Sequence, residues 1–314
     1  MTTELPLSPE EKDLLTTLAK TADREKRLAA LSSVIAAIGL TSFKIVVGAA
    51  TGSLGILAEA AHSALDLVAA IVTLFAIRIS GKPADKEHLY GHWKVENLSA
   101  LFETFLLLIT CGWIIYEAIQ RLLSKNIKIE VTIWAFIVML VSIIIDFTRS
   151  RVLYRAARKH HSQALEADAL HFGTDVWSSS VVIGGLLLVK LSDWIPSLNF
   201  LRQADAIAAI VVAGIVIYVS IQMGIRTIRG LMDTAPQGMV DQIKTIVESV
   251  PGVINCHNLR VRYSGPQIFV DAHILVSPNQ SIVEAHDLTK QIEARIRQII
   301  AGADITVHPE PKED

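Results

Sequence analysis

Charged residues are scarce in this chain of 314 residues. Asp, Glu, Lys and Arg make up 19% of it, whereas a typical soluble domain carries about 25%. The formal net charge is −2, so no excess of basic residues indicates a nucleic-acid partner. Hydrophobic residues make up 51% of the chain, and the mean hydropathy is +0.44. This balance favours a membrane protein over a soluble or nucleic-acid-binding one.

Cysteine is also scarce, and the common hydrolase motifs are missing. The two cysteines, Cys111 and Cys256, lie far apart with no paired spacing, which excludes a disulfide framework and argues against a cysteine-type zinc site. The chain has no H-E-x-x-H motif and no serine or cysteine nucleophile elbow. Its first residues lack the basic-then-apolar order of a cleaved signal peptide. We therefore expect the first hydrophobic run to remain in the mature protein.

Long apolar runs are what the sequence has in abundance. A helix that crosses a bilayer needs about 20 mostly apolar residues. Six segments meet this requirement: Leu28–Ala50, Leu54–Ile79, Leu98–Leu123, Val131–Tyr154, Leu165–Leu191 and Ala204–Leu231. The fifth is the least apolar, because its first half reads EADALHFGTDVWSSS. The pattern predicts six transmembrane helices.

The basic residues predict the orientation of these helices. Lys and Arg are concentrated before the first span and after the second, fourth and sixth spans. After the fourth span alone these residues are Arg149, Arg151, Arg155, Arg158 and Lys159. Because cytoplasmic loops carry the excess of Lys and Arg, we expect both termini in the cytoplasm.

After Met232 the sequence reads as an ordinary small soluble domain. A helix, two strands, a second helix and a last strand are predicted at Gly238–Val250, Ile254–Tyr263, Ile268–Ser277, Ser281–Ile300 and Ile305–His308. Ser281 and Glu284 have the spacing of a capping box. The order αββαβ indicates a small α+β unit, of the ferredoxin-like class. The predicted regions are a cytoplasmic N-terminal tail at 1–27, a transmembrane domain at 28–232 and a cytoplasmic domain at 233–314.

The second and fifth spans each carry a His-x-x-x-Asp motif. These are His62 with Asp66, and His171 with Asp175. Residues four apart share one face of a helix, so two such helices side by side would offer two imidazoles and two carboxylates. That is a four-ligand set suited to tetrahedral Zn²⁺. The alternative is that each is a lone polar residue in helix packing, although ionisable residues within a membrane indicate function by default.

Two further groups of potential ligands lie outside the spans. Asp85, His88 and His92 follow the second span and either form a three-ligand metal site or belong to a solvated charged loop. In the C-terminal region, strand alternation places His273 and His308 on the sheet face that the helices leave uncovered, where a second protomer could meet them. The same alternation does not place His257 on that face.

Further charged residues fall inside the predicted spans, and four of them have an interpretation. We expect Lys44 to reach the membrane surface or to face a partner, and Glu59 to pack, gate or support the metal site. Asp146 is expected near the cytoplasmic interface, where charge is readily solvated, and Asp168 near the cytoplasmic mouth of the path.

Six spans, the two His/Asp pairs and the αββαβ tail resemble the cation diffusion facilitator family of metal/proton antiporters, from about Leu28 to the C-terminus. The resemblance implies a transport site at His62, Asp66, His171 and Asp175, and a second metal site at Asp85, His88 and His92. It also implies one or two metals bridging a homodimer. The family positions for those metals match His257, His273, His286, His308 and Glu310, the last often Asp in relatives.

The sequence thus predicts a secondary transporter of the bilayer, not an enzyme, that exports Zn²⁺ from the cytoplasm in exchange for protons. Fe²⁺, Co²⁺, Ni²⁺, Cd²⁺ and Mn²⁺ stay open as cargo, because ligand identity discriminates weakly among divalent metals. A membrane-embedded metalloenzyme and a passive metal channel are the rival functions. The compact loops favour a prokaryotic inner membrane.

Overall fold

The structure, a computed structural model, describes residues 9–123, 133–194, 204–300 and 302–313. The first two residues of the predicted fourth span, 131 and 132, lie outside these ranges. The helices are α1 Pro9–Thr51, α2 Leu54–Ser80, α3 Lys94–Leu123, α4 Ile133–His160, α5 Gln163–Trp194, α6 Ala204–Leu231, α7 Met239–Glu248 and α8 Ile282–Ile299. The strands are β1 Asn255–Ser264, β2 Gln267–Val276 and β3 Asp304–Pro311. Two compact units result: one is Arg24–Thr227, and the other combines Ile228–Asp314 with the N-terminal residues up to Asp23.

Within the described part of the chain, five helices are long and apolar enough to cross a membrane. They are α1, α2, α3, α4 and α6, with spans at Lys20–Thr51, Ile56–Ser80, Lys94–Gln120, Ile133–His160 and Ile210–Leu231. Helix α5 has 32 residues, about 48 Å at 1.5 Å per residue, so it is long enough to be the sixth. Its polar first half sets it apart from the other five, as the sequence predicts. The helical transmembrane class is therefore confirmed.

Helix α5 owes its polar half to its central place in this unit. It packs against α2, α3 and α4, and the completely buried Phe172 belongs to a core that it shares with α1, α2 and α4. Several polar residues of its first half, including Asp168, His171 and Thr174, are therefore buried in protein rather than exposed. The entry into α2 is set by Gly52, at φ +63°, and by Ser53, whose side chain accepts a hydrogen bond from the Ile56 amide and so caps the helix.

Lys44 faces a protein partner, which is one of the two outcomes expected for it, and Asp146 is likewise paired inside the protein. The ammonium group of Lys44 is buried between α1 and α2, 2.8 Å from the Ser63 hydroxyl and 3.2 Å from Glu59, so Lys44 does not reach toward the membrane surface. Asp146 is buried and accepts a hydrogen bond from Arg149 at 3.2 Å. In both cases a charged group that burial removes from water contacts a partner inside the protein.

Asp168 is likewise enclosed by protein. Its side chain is fully buried, and it accepts a hydrogen bond from the Ser33 hydroxyl at 3.5 Å. The same hydroxyl accepts hydrogen bonds from the Arg149 guanidinium group, which also lies 3.4 Å from the centroid of the Phe172 ring. Ser33 thus joins α1, α4 and α5 through hydrogen bonds.

The second unit is a three-stranded sheet with two helices over one face. Strand β2 is central, antiparallel to β1 and parallel to β3. Gly265 has φ +58° and starts the two-residue β1–β2 turn; since proline cannot take a positive φ, Pro266 selects the II′ type of hairpin turn. Alternate residues of β2 face the helices, including Val270 and Ile274. The predicted capping box of Ser281 and Glu284 is present.

Candidate metal centres

The two His/Asp pairs of α2 and α5 lie together: Asp66, His171 and Asp175 form a metal-competent group, and His62 lies beside it. His171 Nε2 lies 3.1 Å from Asp66 Oδ1 and 3.7 Å from Asp175 Oδ2. His62 Nε2 lies 4.0 Å from Asp66 Oδ1 and 3.9 Å from Asp175 Oδ1. Each imidazole is therefore shared by both carboxylates, one from its own helix and one from the other. We call these four residues the membrane cluster.

Burial differs among the four members of the membrane cluster. The His171 side chain is 4% exposed, whereas that of His62 is 39% exposed. Asp66 and Asp175 lie between these values, at 11% and 14%. Carboxylates this deeply buried are costly without a compensating cation or proton. The arrangement can therefore bind a small dication through nitrogen and oxygen atoms, and it is open on the side of His62.

Lys44 and Glu103 lie beside the membrane cluster, although neither belongs to a His-x-x-x-Asp motif. Lys44 contacts Ser63, the neighbour of His62 in sequence. Glu103 of α3 is fully buried, with Oε2 3.6 Å from His171 Nδ1. Glu103 sits in a mostly apolar stretch, LFETFLLL, and an acidic residue inside a span is the signal that could have identified it.

The loop between α2 and α3 brings its three predicted ligands together. Asp85 Oδ1 lies 3.4 Å from His88 Nδ1, and Asp85 Oδ2 lies 3.3 Å from His92 Nε2. Gly91, at φ +80°, supplies the left-handed conformation that turns the chain between the two histidines. The centroids of the two imidazole rings lie 4.3 Å apart. We call Asp85, His88 and His92 the loop cluster.

Backbone hydrogen bonds hold the carboxylate of the loop cluster. The amides of His88 and Glu87 donate to Asp85 Oδ1 at 2.7 and 2.9 Å. These hydrogen bonds, together with the His88 and His92 side chains, lower the pKa of Asp85 below its ordinary value. Asp85 therefore stays ionised at neutral pH, as a metal ligand must.

Three histidines line up across the cytoplasmic sheet. His257 of β1 is paired with His273 of β2, and His273 with His308 of β3. Glu310, two residues beyond His308 on the same strand, reaches all three, with oxygens 2.7 Å from His273, 3.1 Å from His257 and 3.8 Å from His308. We call these four residues the tail cluster. They lie on the sheet face opposite the helices, as alternation predicts for His273 and His308.

A β-bulge explains why His257 joins this row. The pairing of β1 with β2 shifts between His257 and Arg260, so that β1 contains one extra residue. Asn258 lies there at φ +47°, a conformation that asparagine tolerates better than most residues. Cys256 and Val261 then both face the core, although strict alternation would put them on opposite faces. An asparagine inside a predicted strand is the sequence signal for this bulge.

His286 stands apart from the other predicted tail ligands. It lies on α8, is exposed, and its backbone carbonyl accepts a hydrogen bond from Thr289. Among the described residues, the metal-competent group of the tail is formed by His257, His273 and Glu310, with His308 alongside. A single chain thus does not bring His286 to the tail cluster.

Known proteins resemble the chain over most of its length. The family model described as "Cation efflux transmembrane domain" matches residues 30–232, and that described as "Cation efflux protein, cytoplasmic domain" matches residues 235–312. The "Cation-efflux pump FieF" of Yersinia enterocolitica is 34% identical over 288 residues, covering 91% of this chain and 92% of the relative. Its counterpart in Yersinia pestis is 35% identical over 292 residues, with the same coverage.

A solved structure of CzrB in its Zn form also matches, with 28% identity and a TM-score of 0.24; the match covers 24% of this chain and 89% of the chain in that structure. Both family models and the relatives identify a membrane protein that moves cations outward. The chain therefore belongs to the cation diffusion facilitator family of cation efflux transporters.

Proposed function

We propose that this cation efflux protein exports Zn²⁺ from the cytoplasm through the membrane cluster. One observation carries the proposal: each imidazole of the membrane cluster has a nitrogen within 4.0 Å of an oxygen of both carboxylates. The four residues are His62, Asp66, His171 and Asp175. Two imidazoles and two carboxylates form a tetrahedral donor set that suits Zn²⁺. Fe²⁺, Co²⁺, Ni²⁺, Cd²⁺ and Mn²⁺ are the alternative cargoes, since the affinity order of divalent metals weakens discrimination by ligand type.

Protons are the proposed counter-ion. The imidazoles bind metal in their neutral form and the carboxylates in their ionised form, so metal and protons compete for the same atoms. Metal binding from the cytoplasm would release protons, and protonation from the other side would release metal. Rocking between inward-facing and outward-facing states would link the two events as antiport. Membership in a cation efflux family supports this function over a membrane-embedded metalloenzyme.

Each predicted region has its own proposed role. Residues 28–232 carry the transport path, residues 1–27 form a cytoplasmic tail, and residues 233–314 form a cytoplasmic domain that binds metal and dimerises. The family description of the last region as a cytoplasmic domain supports this assignment. Metal in the tail cluster and in the loop cluster would then shift the population of a dimeric state rather than travel as cargo. We assign the protein to a prokaryotic inner membrane with both termini in the cytoplasm.

Uptake by proteoliposomes with an imposed pH gradient tests the transport proposal. Purified protein should accumulate Zn²⁺ against its gradient, and Asp66→Ala and Asp175→Ala should reduce the rate by about 100-fold or more, since each leaves an incomplete ligand set. Asp304→Ala, at an exposed aspartate of the cytoplasmic unit, is the matched control and should transport normally. Normal transport by Asp175→Ala would show that the site assignment is wrong.

The same vesicles separate antiport from passive conduction. Flux through an antiporter depends on the pH gradient and moves protons in the opposite direction, whereas a channel passes metal down its own gradient without protons. A tight four-ligand site binds too strongly for fast conduction, so we expect flux to collapse with the pH gradient. Parallel measurements with iron, cobalt, nickel, cadmium and manganese identify the preferred cargo.

A further inference from the structure

Glu103 is a buried carboxylate that the transport motif leaves unexplained. It lies on α3, which contributes no residue to the membrane cluster, and its side chain is 0% exposed. The Thr73 hydroxyl of α2 donates to Glu103 Oε1 at 3.2 Å, and that hydroxyl also lies 3.4 Å from the Ser99 hydroxyl. These contacts fix the carboxylate between α2, α3 and α5.

The second oxygen of Glu103 faces the membrane cluster from behind His171. Oε2 lies 3.6 Å from His171 Nδ1, slightly longer than a hydrogen bond. Neither atom has a hydrogen-bond partner among the described residues. Buried polar atoms without partners are rare and costly, and here two of them lie next to each other. A small movement of the His171 ring would join them.

The two nitrogens of His171 thus face different carboxylates. Nε2 faces Asp66 and Asp175, at 3.1 and 3.7 Å, while Nδ1 faces Glu103. A neutral imidazole carries its hydrogen on one nitrogen and offers a lone pair on the other. An acceptor at Nδ1 therefore keeps the hydrogen there and leaves the Nε2 lone pair for a metal.

We propose that Glu103 is the positioning residue of the transport site. Its carboxylate accepts the Nδ1–H of His171, fixes the orientation of the ring, and commits Nε2 to the transported dication. This inference rests on the proposed function of the membrane cluster. It adds a third helix, α3, to a site whose ligands all come from α2 and α5. Removing a hydrogen-bond partner of a metal-binding histidine typically lowers metal affinity by about 10- to 100-fold.

Two variants of Glu103 separate hydrogen-bond acceptance from packing. Glu103→Gln keeps an acceptor oxygen and nearly the same volume, whereas Glu103→Leu keeps the volume but removes the acceptor. Glu103→Leu should weaken metal binding by about 10- to 100-fold, and Glu103→Gln should retain most of the affinity. Thr73→Val removes the hydroxyl that holds Oε1 and should weaken binding by a few-fold only. Thr104→Val, at a buried neighbour on α3 whose hydroxyl bonds only to its own helix, is the matched control.

The measurement is a Co²⁺ titration of the full-length purified protein, followed by the visible absorption of tetrahedral Co²⁺. All variants carry Asp85→Ala, His92→Ala, His273→Ala and Glu310→Ala, so that the loop and tail clusters each keep too few ligands to bind Co²⁺ tightly. Zn²⁺ uptake is measured in parallel, where loss of positioning should raise KM more than it lowers kcat. A structural defect would instead reduce the amount of folded protein, and Glu103→Gln would not rescue it.

The outcomes distinguish a failure of the proposed transport site from a failure of the role inferred for Glu103. If Asp175→Ala leaves the Co²⁺ absorption intact, the proposed function of the membrane cluster is wrong, whatever Glu103 does. If Asp175→Ala abolishes the signal and the affinities rank wild type, then Gln, then Leu, Glu103 positions His171. Equal affinities of wild type and Glu103→Leu overturn the inference, as do equal losses in Glu103→Gln and Glu103→Leu. If Glu103→Leu fails to fold, the other two variants decide. An unchanged Co²⁺ affinity of Thr73→Val, together with a large loss of Co²⁺ affinity in Glu103→Gln, overturns the inference.

Discussion

The membrane cluster and the tail cluster use the same two ligand types in opposite surroundings. In the membrane cluster two carboxylates are shared by two imidazoles, and three of the four side chains are at most 14% exposed. In the tail cluster one carboxylate is shared by three imidazoles, and every side chain is at least 26% exposed. Burial penalises an unpaired charge, so the first cluster depends on a bound cation or proton, whereas water solvates the second.

This contrast explains how similar ligands could serve different purposes. A buried site whose empty, ionised form is unstable exchanges one cation for another, which is what a transport step requires. A half-exposed site is stable empty or filled, so it responds to metal concentration without being forced to exchange. The contrast also predicts that losing a ligand or an ion-pair partner affects the buried cluster more than the half-exposed one.

Removing one histidine from each cluster should give the largest difference. His171→Ala removes the most buried ligand of the membrane cluster, and we expect Zn²⁺ uptake into proteoliposomes to fall by about 100-fold or more, as for loss of any tetrahedral ligand. His273→Ala should weaken Zn²⁺ binding by the cytoplasmic domain while leaving most of the transport. Equal loss of transport in the two variants would remove the distinction between a cargo site and a regulatory site.

The two units should also differ in how much a broken ion pair destabilises them. Lys26 and Glu96 form a 2.7 Å pair with side chains 4% and 0% exposed, and Glu96 also accepts hydrogen bonds from Ser80 and Ser162. Lys26→Met leaves a buried unpaired carboxylate and should destabilise the transmembrane unit by about 3–5 kcal/mol. His257→Ala, at a half-exposed contact of Glu310, should cost about 1 kcal/mol or less.

Thermal unfolding in detergent, followed by tryptophan fluorescence, measures the first of these effects. All five tryptophans lie between residues 93 and 194, so the signal reports the transmembrane unit alone. Hydrogen exchange of the β1 and β2 amides measures the effect of His257→Ala. The double variant Lys26→Met/Glu96→Leu is the control, because an apolar replacement of a whole buried pair is often neutral. A small effect of Lys26→Met alone would contradict the assumed cost of the buried charge.

The features that follow from local periodicity could be predicted from the sequence. Hydropathy gives the spans, because lipid imposes a minimum apolar length on every helix. Spacing of four gives the two His/Asp pairs, because it places both side chains of each pair on one helix face. Alternation gives the buried face of β2. In each case one short segment contains all the information that is needed.

The features that depend on a second segment could not be predicted in this way. Lys44 is held by Glu59 and Ser63 of the next helix, and hydropathy does not say which helices are neighbours. The same holds for Asp168 with Ser33, and for Glu103 with His171. His257 is a different case, because a bulge shifts the phase of one strand relative to its partner. Strand alternation alone does not reveal such an inserted residue.

The bulge at Asn258 offers a smaller and more local test of the tail cluster. A β-branched residue is strained at φ +47°, so Asn258→Val should cost about 1–3 kcal/mol and move His257 out of the histidine row. Asn258→Gly tolerates the conformation and should leave the row intact. Zn²⁺ titration of the full-length protein, with hydrogen exchange at β1, should show weaker binding for the valine variant alone. Asn255→Val, at the start of the same strand, is the control, and equal binding by Asn258→Val and wild type would show that His257 is not a ligand.

The smallest expected effect is the pH dependence of the metal-free tail cluster. The hydrogen bond with His273, together with His257, lowers the pKa of Glu310 below its ordinary value. Because the lowered pKa belongs to the folded state, these contacts add stability above the ordinary glutamate pKa of about 4.3, and this stability is lost as the pH falls through the lowered value. The protection of the β3 amides in chelator, measured relative to their intrinsic exchange rate at each pH, should therefore show an acid step below about pH 5, which Glu310→Gln should lack. The step should be small, since the carboxylate is one-third exposed and solvent screens its contacts. An identical acid profile in wild type and Glu310→Gln would mean that water, rather than the histidine row, sets the charge of Glu310, and the tail cluster would then be even further from the membrane cluster in its energetics.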